Sequence, residues 1–80
     1  MKTAKEWGFS PHLWPEPYWY RDDCECCIKL IINGETGVVS FRGSFDMERG
    51  NKRAPELFPT FDEAAAYIVP LACEYWGVEP

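Results

Sequence analysis

The period with which apolar and polar positions alternate changes along the chain, and each change marks an element. Residues 26–32 (Cys-Cys-Ile-Lys-Leu-Ile-Ile) and 37–45 (Gly-Val-Val-Ser-Phe-Arg-Gly-Ser-Phe) flank Asn33-Gly34-Glu35-Thr36. An Asn-Gly pair between apolar runs predicts a β-hairpin. A two-residue loop pairs Ile32 with Glu35, Leu30 with Gly37, Ile28 with Val39 and Cys26 with Phe41, which gathers apolar partners on one face. A four-residue loop keeps that parity, whereas an odd loop opposes Ile28 and Leu30 to Ser40 and Val38. The other face, with Lys29, Ile31, Val38, Ser40 and Arg42, then looks to solvent or to a partner.

Upstream, Tyr18-Trp19-Tyr20-Arg21 is rich in β-favouring aromatics and stops at Asp22-Asp23, so it predicts a short first strand ending in a turn. Pro11, Pro15 and Pro17 exclude a long helix before it, and residues 1–17 are expected to form an irregular or extended arm. Residues 46–59 contain Gly50, Asn51, Pro55 and Pro59 and predict a long loop, with room for an edge strand near Leu57 and Phe58. Thr60-Phe61-Asp62-Glu63 then fits a capping box and Gly77 a C-terminal stop, giving a helix over 60–77. Its stripe of Phe61, Ala64, Ala65, Ile68, Ala72, Tyr75 and Trp76 suits the hairpin's core face. Pro70 is expected to kink or split that helix near Val69, at a cost of about 3 kcal/mol. The expected architecture is α+β: strands within 18–45 form a three-stranded antiparallel meander, with one kinked C-terminal helix across one face.

Length and charge narrow the functional classes. Eighty residues, 46% hydrophobic and 26% charged, make one small globular domain, too short for a doubly wound nucleotide-binding sheet or a strand-helix barrel. The net charge is −5, and residues 54–80 carry five carboxylates and no Lys or Arg. Such a chain suits a basic protein surface better than nucleic acid. No run is long and apolar enough for a membrane span, and residues 1–14 lack the apolar core of a signal peptide, so a cytoplasmic protein is expected.

In a reducing compartment Cys24, Cys26, Cys27 and Cys73 are expected to be small buried thiols. Cys24-Glu25-Cys26-Cys27 is not a Cys-x-x-Cys knuckle, and the best metal set on offer is Cys24, Cys26, Cys73 and the lone His12. On a strand Cys24 and Cys26 share a face and Cys27 opposes them. No nucleophile with a base and no glycine-rich phosphate loop is recognisable, so neither catalysis nor a cofactor is expected. The aromatic excess is more informative: Trp7, Phe9, Trp14, Tyr18, Trp19 and Tyr20 crowd the first twenty residues, more than one helix can cover. Exposed Trp and Tyr are the side chains most enriched in binding hot spots.

The Asn33-Gly34 hairpin, the late helix opening Thr60-Phe61-Asp62-Glu63-Ala64-Ala65-Ala66 and the negative balance resemble, over residues 18–77, the small acidic proteins encoded by phages and mobile elements, anti-CRISPR proteins among them. The proline-aromatic arm and the cysteine cluster have no counterpart in that resemblance. It implies a non-enzymatic inhibitor that binds a CRISPR effector complex in the bacterial cytoplasm and blocks its DNA-binding or nuclease step. The expected contacts are Asp22, Asp23, Glu25, Asp62, Glu63 and Glu74 for steering, with Trp7, Trp14 and Trp19 as anchors. Two other readings compete: a small cysteine-dependent metal domain, and a nucleic-acid-binding module using Arg49, Lys52 and Arg53 of the Arg49–Arg53 loop with a stacking Trp or Tyr.

Overall fold

Strands β3 (Cys26–Ile32) and β4 (Val39–Asp46) form the central hairpin of the computed structural model, which describes residues 2–80. Ile32 lies opposite Val39, Leu30 opposite Phe41, Ile28 opposite Gly43 and Cys26 opposite Phe45. The parity is the expected one, but the two-residue turn and its register are not: residues 33–38 make a six-residue loop. Asn33 Oδ1 accepts from the N–H groups of Glu35 (2.9 Å) and Thr36 (3.1 Å), and Gly37 N–H donates to Asn33 O at 2.8 Å. The positive φ that an Asn-Gly turn assigns to its glycine falls instead on Gly37, at 74°. Six is even, so Cys26, Ile28 and Leu30 still share a face with Phe41, Gly43 and Phe45.

The sheet has five strands in the order β1-β2-β3-β4-β5, all neighbours antiparallel, which corrects the expected three. β1 (Ser10–His12) comes from the proline-rich arm and pairs with β2 (Tyr18–Arg21); β5 (Asn51–Arg53) comes from the 46–59 loop and pairs with β4. Neither carries an apolar alternation, because both are edge strands: a Pro or a run of charge is tolerated where one side of the ladder is unpaired. Near Leu57 there is a single bridge, Phe58 to Phe41, rather than a strand. Between β2 and β3 a 3₁₀ turn, Asp22–Cys24, ends in Glu25 with φ 52°, a left-handed conformation uncommon for a side-chain-bearing residue.

Helix α1 runs unbroken from Phe61 to Trp76. Thr60 Oγ1 accepts from Glu63 N–H at 3.1 Å, and Val78 N–H reaches back to Cys73 O at 3.0 Å beyond Gly77. Pro70 therefore does not split the helix. It stands on the exposed face, as does Ala66, whose carbonyl loses its intrahelical donor where solvent can reach it. The buried side is Ala64, Ala65, Ile68, Val69, Ala72 and Cys73, against Cys26, Ile28, Phe45 and Phe9. Tyr75, expected in that stripe, is exposed, and Trp76 is half-buried with Nε1 donating to Asp46 O at 2.9 Å. Small residues let the helix sit close to the sheet: a Cβ at Gly43 would lie 2.8 Å from Ile68 Cβ. No helix among the described residues is long and apolar enough to cross a membrane.

Candidate functional site

Much of the residue set expected to face a partner is occupied within the molecule. Asp62 Oδ1 accepts from Trp7 Nε1 (3.0 Å) and Lys2 N–H (2.9 Å), bonds that hold its carboxyl below the ordinary value, and Lys2 Nζ lies 4.5 Å over the Trp7 ring. Glu25 accepts from the Tyr20 hydroxyl, and this bond, with burial and the carboxylate's charge, pushes the phenol's pKa up. Trp19 packs edge-on against Phe61 at 5.3 Å between centroids and tilts against Phe41, where it helps close the core. Trp7, Trp19, Glu25 and Asp62 thus make contacts within the molecule. Asp22, Asp23, Glu63 and Glu74 are exposed.

Asp23 belongs to an arrangement built around Arg21, which is only 9% exposed. The guanidinium uses all five donors: Nε and Nη2 fork onto Asp23 (2.8 and 3.1 Å), Nη2 also reaches Glu79 O (2.7 Å), and Nη1 reaches Trp7 O (3.2 Å) and Pro80 O (3.0 Å). Hydrogen bonds from Arg21 hold the Asp23 carboxyl low. It is the one ion pair among the described residues, so the other exposed carboxylates are not neutralised by neighbouring cations.

Trp14 is the expected anchor that stands free, at 86% exposure beside Leu13 at 73%. Both lie in the loop between β1 and β2, which leaves the sheet at the same end as the 33–38 loop. That second loop is bounded by Ile32 at 62%, with Val38 and Val39 also exposed. Five of the eight exposed large apolar side chains among the described residues therefore gather at one end of the meander. Glu16 and Glu35 sit exposed in the same two loops. Between Pro15, Pro17 and Tyr18 on one side and Lys29, Leu30 and Ile31 on the other is a hollow of about 260 Å³.

The sheet face away from α1 is open. Its register rows run His12, Tyr18, Lys29, Arg42 and Ser10, Tyr20, Cys27, Ser44, Arg53 across the strands. His12 and Tyr18 stack, 4.8 Å apart and within 5° of parallel. This face is the floor of the largest hollow described, about 970 Å³, whose rim includes Asp22 and Asp46.

The cysteines divide as strand parity requires for Cys26 and Cys27, while Cys24 lies in the 3₁₀ turn. Cys24, Cys26 and Cys73 are buried on the helix side as free thiols. Hydrogen bonding from Cys26 lowers Cys24 and raises Cys26, and burial foremost raises Cys73 to about 11. His12 is on the opposite face, so the metal set Cys24, Cys26, Cys73 and His12 does not converge. Among the described residues no three His, Cys, Asp or Glu side chains are placed to hold a metal. Nor do Arg49, Lys52 and Arg53 form one patch: Lys52 pairs with Phe45 on the helix side, Arg53 with Ser44 on the open face, and Arg49 lies in the preceding turn.

The chain is an α+β protein in which one helix packs on a five-stranded antiparallel meander. Compared with protein-family models, with curated proteins and with solved structures, it matches none.

Proposed function

We propose that this is a binding protein without catalysis, which docks through the end of the sheet carrying Leu13, Trp14, Ile32, Val38 and Val39 and acts by obstruction. The gathering of five exposed apolar side chains at one end carries this reading, because apolar surface concentrated in one place on an acidic domain marks a contact surface. Trp14 supplies the large, stiff area typical of a hot spot. Glu16 and Glu35 beside it, with Asp22, Glu63 and Glu74 elsewhere on an unneutralised surface, favour a partner with a basic face, as nucleic-acid-handling proteins have. The resemblance to phage-encoded inhibitors makes a CRISPR effector complex the first partner to try.

The experiment is surface-immobilised binding of purified effector complexes to the wild type and to Trp14→Ala. Trp14→Ala is expected to weaken binding by tenfold or more, about 1.4 kcal/mol or above. Raising salt is expected to slow association more than dissociation. Equal affinity of the two proteins for a bound complex would refute docking at this end, and turnover of a substrate by the isolated chain would refute obstruction.

A further inference from the structure

We infer a second binding site, for single-stranded nucleic acid, on the open face of the sheet. Three observations converge there. First, the cross-strand rows put His12, Tyr18 and Tyr20 beside Lys29, Arg42 and Arg53 on one surface, aromatic on β1 and β2 and cationic on β3 to β5. Bases stack on such rings without regard to sequence, and phosphates take the cations. Second, no salt bridge occupies Lys29, Arg42 or Arg53, so their charges are free to meet phosphate. Third, two of the nearby carboxylates are engaged locally: Asp46 accepts from Asn51 Nδ2 at 2.8 Å and Glu25 from the Tyr20 hydroxyl. Asp22 and Asp46, both exposed at the rim, are the carboxylates that oppose phosphate.

The shape also favours a strand over a duplex. Tyr18 and Tyr20 are two residues apart on one face, about 7 Å along the strand, which suits successive splayed bases. The hollow of about 970 Å³ lies over a single-layer sheet, with no projecting helix to enter a major groove. An extended acidic peptide would satisfy the cations but not the stacked rings. The net charge of −5 opposes phosphate at a distance, so recognition depends on contacts inside a Debye length. This surface meets the apolar end at Tyr18 and Lys29, which also line the smaller hollow there, but the two proposals are read with different probes, oligonucleotides here and an effector complex there.

Fluorescence anisotropy with labelled oligo(dT) and oligo(U) tests the inference, beside a duplex of equal length and polyglutamate as competitor. The single strands are expected to bind, with affinity falling about 15- to 20-fold for a fourfold rise in salt, as three phosphate contacts require. Tyr18→Ala is expected to weaken binding about fivefold or more. Lys29→Glu with Arg53→Glu is expected to abolish it, circular dichroism confirming that each variant is folded. No binding by the folded wild type at low salt would overturn the site. So would unchanged binding by the folded variants, equal binding of duplex, or equally effective competition by polyglutamate, which would assign the face to an acidic peptide.

Discussion

Arg21 concentrates more of the molecule's polar interactions in one side chain than any other residue. Its planar fork joins the Asp22–Cys24 turn, the Trp7 carbonyl and the carbonyls of Glu79 and Pro80, segments that share no ladder. Lysine cannot reproduce five donors in a plane. Arg21→Lys is expected to cost about 2–4 kcal/mol and Arg21→Ala somewhat more, read from the midpoint of urea unfolding at constant slope. Asp23, Glu6 and Asp62 all have carboxyls held below their ordinary values by hydrogen bonds, from Arg21, from Thr3, and from Trp7 and Lys2 respectively. A depressed folded-state pKa means that the stability is present above the ordinary carboxylate range and lost as pH falls through the folded value. Unfolding free energy is therefore expected to hold between pH 7 and 5 and to drop below about pH 4. Asp23→Asn should flatten that drop while lowering the plateau, and an undiminished drop in this variant would move the cause elsewhere.

At the scale of elements, closeness of helix to sheet is the determining quantity. Gly43→Ala places a methyl 2.8 Å from Ile68 Cβ and Cγ2, and since Cβ is fixed to the helix backbone, α1 must shift. A loss of about 1–3 kcal/mol is expected by thermal or urea unfolding, and Ile68→Ala should relieve it only in part because its Cβ remains. Pro70→Ala is expected to act in the other direction, gaining about 1–3 kcal/mol by returning a donor to Ala66 on an exposed face; a lower melting temperature would contradict it. The same elements show what could be read from sequence. Helix α1 was legible because Thr60, Glu63 and Gly77 act within a few residues of themselves, and the hairpin's face assignment because strand parity survives any even loop. β1 and β5 were not, because Ser-Pro-His and Asn-Lys-Arg owe their extended form to the neighbouring strand. The Arg21 contacts with Glu79 and Pro80 span 58 and 59 positions, beyond any local pattern. Of the expected contact residues Trp14 stood free, whereas Trp7 and Asp62 found each other across 55 positions.

On the scale of the whole molecule, the two faces of the sheet divide the labour: one is filled by α1 and the aromatic cluster, the other is bare, polar and concave. The apolar end belongs to neither. Its side chains make little of the core, so Trp14→Ala is expected to leave the unfolding midpoint within about 0.5 kcal/mol of wild type while altering affinity. That separation between stability and binding is the signature to seek, since a loss of both would mean that the end is held by packing.

The tryptophans also give the protein its own optical probe. Trp7, Trp19 and Trp76 are half-buried and only Trp14 is largely in water, so the red edge of the emission spectrum comes chiefly from one indole. Acrylamide should quench that component first. A partner covering it would shift its light to the blue without any label, reporting occupancy of a surface that thermal melting would not register.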